Sequence, residues 1–227
     1  MTVTQQAEAR TGDDPVVRID GSLPLSAQSV GALAQVCDEA EDRGAGVVPV
    51  LVSGTPGSDW TADLEVGLVS KWERALRRLE RLGATTVAVA EGDCGGPALD
   101  ALLATDFRIA TSSVRLMVPV GDGATWPGMA VYRLSQQAGV ARIRRAVMFG
   151  RPIDAVEAVA LHLVDEVADD LDAALGAVAE LAGSFSGAEL AIRRRLMLDA
   201  NTTSFEDALG AHLAACDRAL RGAGADA

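Results

Sequence analysis

Basic charge is scarce in this chain, and what there is comes almost wholly from arginine, because Lys71 is the single lysine. Twenty Lys and Arg face 32 Asp and Glu, a formal net charge of -12, which excludes wholesale binding of nucleic-acid phosphates. Cysteine is also rare. Cys37, Cys94 and Cys216 are far apart, odd in number and without paired spacing, so neither a disulfide framework nor a cysteine metal site is indicated, and reduced thiols are expected. No stretch approaches the ~20 uninterrupted apolar residues that a bilayer span requires. The N-terminus, "MTVTQQAEARTGDDP", is polar and acidic where a leader would be basic and then apolar, so the expected location is the cytoplasm. The glycines of "GDCGG" lack the spacing of a dinucleotide fingerprint. The two histidines, His162 in "VALHLV" and His212 in "LGAHLAA", have no serine or cysteine nucleophile motif beside them and read as helix-surface or packed residues.

The chain has 227 residues, 49% of them hydrophobic, enough for one sizeable core with a small helical annex. Residues 1–14 read as a disordered tail, 15–180 as an α/β core and 181–227 as a helical region with a frayed end. "PVVRID" reads as a strand. "SAQSVGALAQVCDEAEDRG" reads as an amphipathic helix that starts at a serine and stops at Gly44. "GVVPVLVSG" and "TTVAVAEG" are short apolar runs rich in β-branched residues, which fits strands covered on both faces. Between them, Trp72, Leu76, Leu79 and Leu82 recur at helical spacing, with arginines on the other side. With "PALDALLATD" as a helix and "FRIAT" and "VRLMVP" as strands, the alternation predicts parallel βαβ units. Beyond residue 128, glycine-punctuated helices follow.

The stretch "EGDCGGPALDALL" carries the chemistry. Pro97 lacks a backbone N–H and suits the first position of a helix, with Gly96 as its cap. The turn is either plain strand-to-helix punctuation or a device that aims N–H groups at a developing negative charge. Asp100 falls in the first turn of that helix, either as a favourable partner of the helix dipole or as an acid–base group. Cys94 is a candidate activated thiol or a small buried residue.

The run "VAVAEGDCGGPALDALLATDFRIATSSVRLMVPV", followed by "WPG", "VYRLSQQAG" and "AVMFGRPIDAVEAVALHLVDEV", resembles the enoyl-CoA hydratase/isomerase, or crotonase, family. Gly92, Asp106, Ile109, Ala110, Pro119, Pro127, Gly128, Gly139, Gly150, Ala155, Ala158 and Val164 fall in register with it. The resemblance implies an α/β crotonase-like spiral of ββα units with a C-terminal helical trimerisation region. It also implies an acyl-CoA thioester as substrate, with no other cofactor and no metal, and a homotrimer or hexamer. Two backbone N–H groups would hold the thioester oxygen and stabilise an enolate. Ala62, in "WTADL", corresponds to the first. The second falls on Pro97, which has nothing to donate, so either Gly96 or Ala98 serves or the thioester hole is incomplete.

By the same resemblance the first family glutamate falls on Asp100 and the second on Val120, which argues against simple hydration by two carboxylates. A one-base task remains, with Asp122, two residues on, as a further candidate acid or a solvated loop residue. Trp60, Val120 and Trp126 are candidates for an acyl pocket. Arg193, Arg194 and Arg195 are candidates for CoA phosphates or for a solvated helix face. The short chain, the Gly-Gly-Pro turn, Asp100 and Val120 together resemble the crotonase homologues that accompany a type III polyketide synthase making 3,5-dihydroxyphenylacetyl-CoA from malonyl-CoA in glycopeptide-antibiotic producers, with a second crotonase homologue. The implied role is dehydration and aromatisation of a poly-β-keto thioester. The alternatives are a catalytically degenerate partner of the synthase and a free-standing enoyl-CoA isomerase.

Overall fold

The computed structural model describes residues 15–185 and 187–225; the tail expected over residues 1–14 lies outside them. β1 (Val17–Asp20) leads to α1 (Ala27–Arg43), which opens on Ser26, whose Oγ accepts from the Ser29 N–H, and closes on Gly44 at φ +63. Glycine is needed there, because a left-handed residue ends the helix and a Cβ would be strained. β2 (Val47–Gly54) and α2 (Val66–Leu79) follow. The buried residues of α2 are Trp72, Ala75, Leu76 and Leu79. Burying such apolar side chains contributes about 1.5–3 kcal/mol for each large one, more than helix propensity supplies at a single position.

β3 (Thr85–Gly95) is the longest strand, and α3 (Pro97–Leu103) starts two residues after it ends. Next come β4 (Phe107–Ala110), β5 (Arg115–Met117) and a hairpin of β6 (Val120–Gly121) and β7 (Ala124–Thr125). The remaining elements are α4 (Met129–Ala138), α5 (Val140–Phe149), β8 (Ile153–Asp154), α6 (Ala155–Ala160), β9 (Glu166–Val167), α7 (Leu171–Gly183), α8 (Gly187–Asp199) and α9 (Phe205–Ala225).

β1, β2, β3, β4 and β9 lie side by side in parallel, as the βαβ alternation requires. β3 changes partner partway along. Its first half pairs with β4, whereas Asp93–Gly95 pair with β5, which in turn pairs antiparallel with β8. The change falls at a bulge: Ser53 pairs with Glu91 but Gly54 with Cys94, and Gly92 takes φ +61 to let the strand bend. Arg115 then grips Asp93 at 2.6 and 2.7 Å on the far side of the bend. The bend delivers the Gly95–Gly96 turn and the start of α3 to one end of the sheet.

Asp106 and Arg108, both in the run that resembles the family, are structural. Arg108 is buried and donates to the carbonyls of Leu102, Leu103 and Thr105, closing the C-terminal end of α3. Asp106 accepts from the backbone and hydroxyl of Thr86 and from Arg194. α7 packs Leu171, Ala174 and Val178 against Val87, Val89 and Ile109, so it belongs to the core, and the boundary expected at residue 180 falls inside this helix. α8 and α9 form the annex and leave Met197, Phe205, Leu213 and Leu220 exposed. Among the described residues, no single helix is long and apolar enough to cross a membrane.

Candidate active site

Asp100 occupies the first turn of α3 and turns its carboxyl toward two other helices. The Trp72 indole N–H of α2 donates to Oδ2 at 3.2 Å, and the backbone N–H of Ala130, in the first turn of α4, donates to the same carboxyl. Burial pushes the carboxyl from the ordinary 3.8 up to about 7, and the Glu73 charge adds to the rise; Arg133 and the two N–H donors oppose it. A carboxyl held there changes charge near neutral pH, as proton transfer requires.

Beneath Asp100 lies a chain of ion pairs. Arg133 of α4 has its Nε 2.9 Å from Glu80 Oε1 and its Nη1 2.9 Å from Glu73 Oε2; Arg77 reaches Glu80 Oε2 at 2.7 Å from the solvent side. The Arg133 side chain is 8% exposed and its Nη1 makes no well-angled hydrogen bond, so its contact with Glu73 is one of charge. Burial works against this cation, but Glu80 and Glu73 outweigh it and hold it charged. Burial raises Glu73 above the ordinary carboxylate range, with Arg133 opposing. The sequence pattern put Trp72 of this group on a buried face; nothing in it singled out Glu73, Glu80 or Arg133.

Two of the three acyl-pocket candidates come into contact. Trp60 and Trp126 meet edge to face with centroids 5.0 Å apart. Trp126 is tied to the Asp100 site by the short segment that runs through Pro127 and Gly128 to Ala130. Gly128 is required, since a Cβ there would lie 2.5 Å from Trp126 Nε1. Val120 is half exposed and lies over Gly150. Asp122 stands exposed at the tip of the β6–β7 hairpin with φ +51, beside Gly123 at φ +77. This is an Asp-Gly turn of the kind that two-residue hairpins favour, so its place follows from the turn, as the solvated-loop alternative has it.

The turn itself is closed. Gly96 has φ +53, and a Cβ there would meet the Pro56 ring at 3.0 Å and the Pro119 ring at 3.7 Å. Pro97 is the first residue of α3 and donates nothing, and the Ala98 N–H, one residue on, has no acceptor within the helix. The Ala62 N–H, the expected first donor, goes to the Asp59 carbonyl at 3.0 Å in a turn, and Ala62 is exposed.

The other candidates separate cleanly. Cys94 is fully buried, with its thiol pushed up to about 12 by burial, so it is an inert packing residue. His162 and His212 are exposed. Of the three arginines, Arg193 pairs with Glu189 and Arg195 with Asp199, but Arg194 is buried against Asp106 and the carbonyls of Leu82 and Ala84.

No family profile matches the chain. An enoyl-CoA-hydratase of Amycolatopsis orientalis is 61% identical over 208 residues, covering 91% of this chain and 95% of its own. An enoyl-CoA hydratase/isomerase from Marinobacter aquaeolei superposes with a TM-score of 0.77 at 18% identity, over 92% of this chain and 89% of its own. A putative enoyl-CoA hydratase from Thermobifida fusca YX in complex with acetoacetyl-CoA gives 0.74 at 20%, over 93% and 94%. The architecture is therefore the crotonase-like α/β fold. The 61% relative places the chain in the enoyl-CoA hydratase family.

Proposed function

We propose that this protein acts on a CoA thioester through Asp100 as its single acid–base group, and that its task is dehydration and aromatisation of a poly-β-keto thioester made by a type III polyketide synthase. The observation that carries this reading is the half-buried Asp100 carboxyl in the first turn of α3, which accepts the Trp72 indole N–H at 3.2 Å. In each enolisation, Asp100 takes the proton from the carbon beside the thioester, the C–H electron pair moves into the enolate, and the proton returns to carbon or to a departing hydroxyl. Val120 lacks a carboxylate to activate water, which favours proton shuttling over hydration. The acetoacetyl-CoA bound by the Thermobifida protein is a β-keto thioester, which supports the substrate class. Trp60 and Trp126 suit a flat acyl group. Gly96 and Ala98 are the N–H groups left for its carbonyl oxygen. The apolar faces left exposed on α8 and α9 support self-association as a trimer or hexamer.

A second reading has its own observation. With Pro97 lacking an N–H, Gly96 packed by two proline rings and the Ala62 donor spent on Asp59, the protein acts as a non-catalytic partner of the synthase. Product analysis of the synthase with malonyl-CoA separates the two, run alone, with this protein and with its Asp100→Asn variant, each with the second crotonase homologue present. Asparagine keeps an acceptor for Trp72 and Ala130. Stimulation of dihydroxyphenylacetyl-CoA formation by the wild type only supports the acid–base role; equal stimulation by both makes the protein a structural partner; no stimulation ends the assignment to this synthase.

A further inference from the structure

Between Asp122 and Asp154 the chain carries five arginines and no acidic residue, in a protein where 32 Asp and Glu outnumber 20 Lys and Arg. Arg133 is buried among its glutamates, but Arg142, Arg144, Arg145 and Arg151 are exposed on α5 and just past its end. Among the described residues none of these four has an acid within ion-pair distance, although Arg77, Arg78, Arg115 and Arg193 elsewhere all do. Ile143 and Ala146 are buried and fix which side of α5 faces out. On that outer side two rows run at four-residue spacing, one of Val140, Arg144 and Met148, the other of Ala141, Arg145 and Phe149. Val140, Met148 and Phe149 are 65%, 63% and 70% exposed. Arginine, methionine and aromatic side chains are the types enriched where proteins meet.

We propose that the outer face of α5 is a docking surface for a partner protein that presents an acidic patch with apolar residues among its charges. The inference rests on the synthase reading above, in its catalytic or its non-catalytic form, and makes the synthase that partner. Charge and shape choose the occupant. Successive residues point about 100° apart around a helix, so Arg144 and Arg145 fan out and do not converge on a single phosphate as a clamp for a small anion would. A second copy set face to face would oppose arginine to arginine, which is unfavourable. A chain of net charge -12 carries too much negative charge elsewhere to lie along nucleic acid or an anionic membrane. Position gives the contact a use. α5 packs on α4 and β7, the Thr125 hydroxyl of β7 donates to the Val147 carbonyl, and β7 runs straight into Trp126. A partner seated on α5 therefore lies beside the hairpin that leads into the Trp60 and Trp126 pair.

The test is binding of the fluorescently labelled synthase, without malonyl-CoA, to the wild type and to three variants. Arg144→Glu with Arg145→Glu reverses the charge of the face, and Phe149→Ala truncates its aromatic residue. Arg18→Glu with Arg81→Glu makes the same charge change at exposed positions elsewhere. The charge-reversed face is expected to bind about 100-fold more weakly or worse and Phe149→Ala about tenfold more weakly, with the control pair at the wild-type value. Wild-type binding weakens as salt is added, because exposed charges are screened. Should the charge-reversed variant not fold, Phe149→Ala decides. Wild-type affinity in both α5 variants overturns the proposal, as does a wild type that does not bind the synthase, or binds only RNA or anionic vesicles. Loss of self-association in the α5 variants with synthase binding intact also overturns it, because the occupant is then a second copy. Product formation is a separate readout: stimulation without an α5 effect keeps the synthase reading and ends the docking proposal, and docking without stimulation does the reverse.

Discussion

The Trp72 indole N–H donates to Asp100 Oδ2 at 3.2 Å, and this one bond joins α2, which the sequence presents as an ordinary amphipathic helix, to the first turn of α3, which carries the chemistry. Trp72 is 1% exposed. Its bulk fills the core and its single polar atom serves the site.

Trp72→Phe keeps the ring and removes the donor. The fold survives with a loss of about 2–4 kcal/mol in urea unfolding, the lost hydrogen bond together with the cavity left by the smaller ring. The Asp100 titration midpoint, followed by its protonated-carboxyl infrared band, moves above about 7, because the N–H that favours its charged form is gone. A midpoint equal to that of the wild type would mean that the indole does not bear on the carboxyl.

Asp100 also makes stability depend on pH with a definite sign. Its folded pKa lies near 7 and its ordinary value at 3.8, so between these the folded state holds a proton that the unfolded state has released. Stability therefore falls as pH rises from about 4 to about 7, by up to about 4 kcal/mol through this group. The Asp100→Asn variant lacks that slope; urea titrations of both proteins at three pH values across the window compare them.

Pro97→Gly restores an N–H at the turn. It costs roughly 1 kcal/mol of stability through the freer unfolded chain. If the thioester oxygen lies at this turn, synthase stimulation rises about tenfold or more, since one oxyanion donor is worth on the order of 100-fold or more in rate. Unchanged product formation with the stability loss present would place the thioester oxygen elsewhere.

Arg194 anchors the helical annex. Arg194→Met leaves Asp106 and the Leu82 and Ala84 carbonyls without their buried cation and costs about 3–5 kcal/mol. Limited proteolysis should then cleave between α7 and α8 well before the core; parallel digestion of Arg193→Met, whose arginine pairs at the surface, should match the wild type.

His162 holds a left-handed φ of +56 just past the end of α6. His162→Gly relieves a Cβ clash worth about 1 kcal/mol and raises the thermal midpoint by a few degrees. A lower midpoint would show that the exposed imidazole makes a contact worth more than the strain.

Local chemistry wrote much of this protein into its sequence. Ser26 and Gly44 bound α1 because a hydroxyl and a left-handed residue are what helix ends need, and the β-branched runs at 47–54 and 85–90 form parallel strands because both faces are covered. Pro97 starts α3 for the same local reason. The long-range facts were not legible there. Glu73, Glu80 and Arg133 look like solvated helix charges until α2 and α4 are laid against α3, and Arg194 looks like the middle of a surface triplet until α8 docks on the loop at Leu82–Ala84. Spacing along a helix tells which residues share a face. Only tertiary packing decides whether that face meets water or another charge, and burial is what turns Asp100 from an ordinary first-turn acid into a group that titrates near neutral pH.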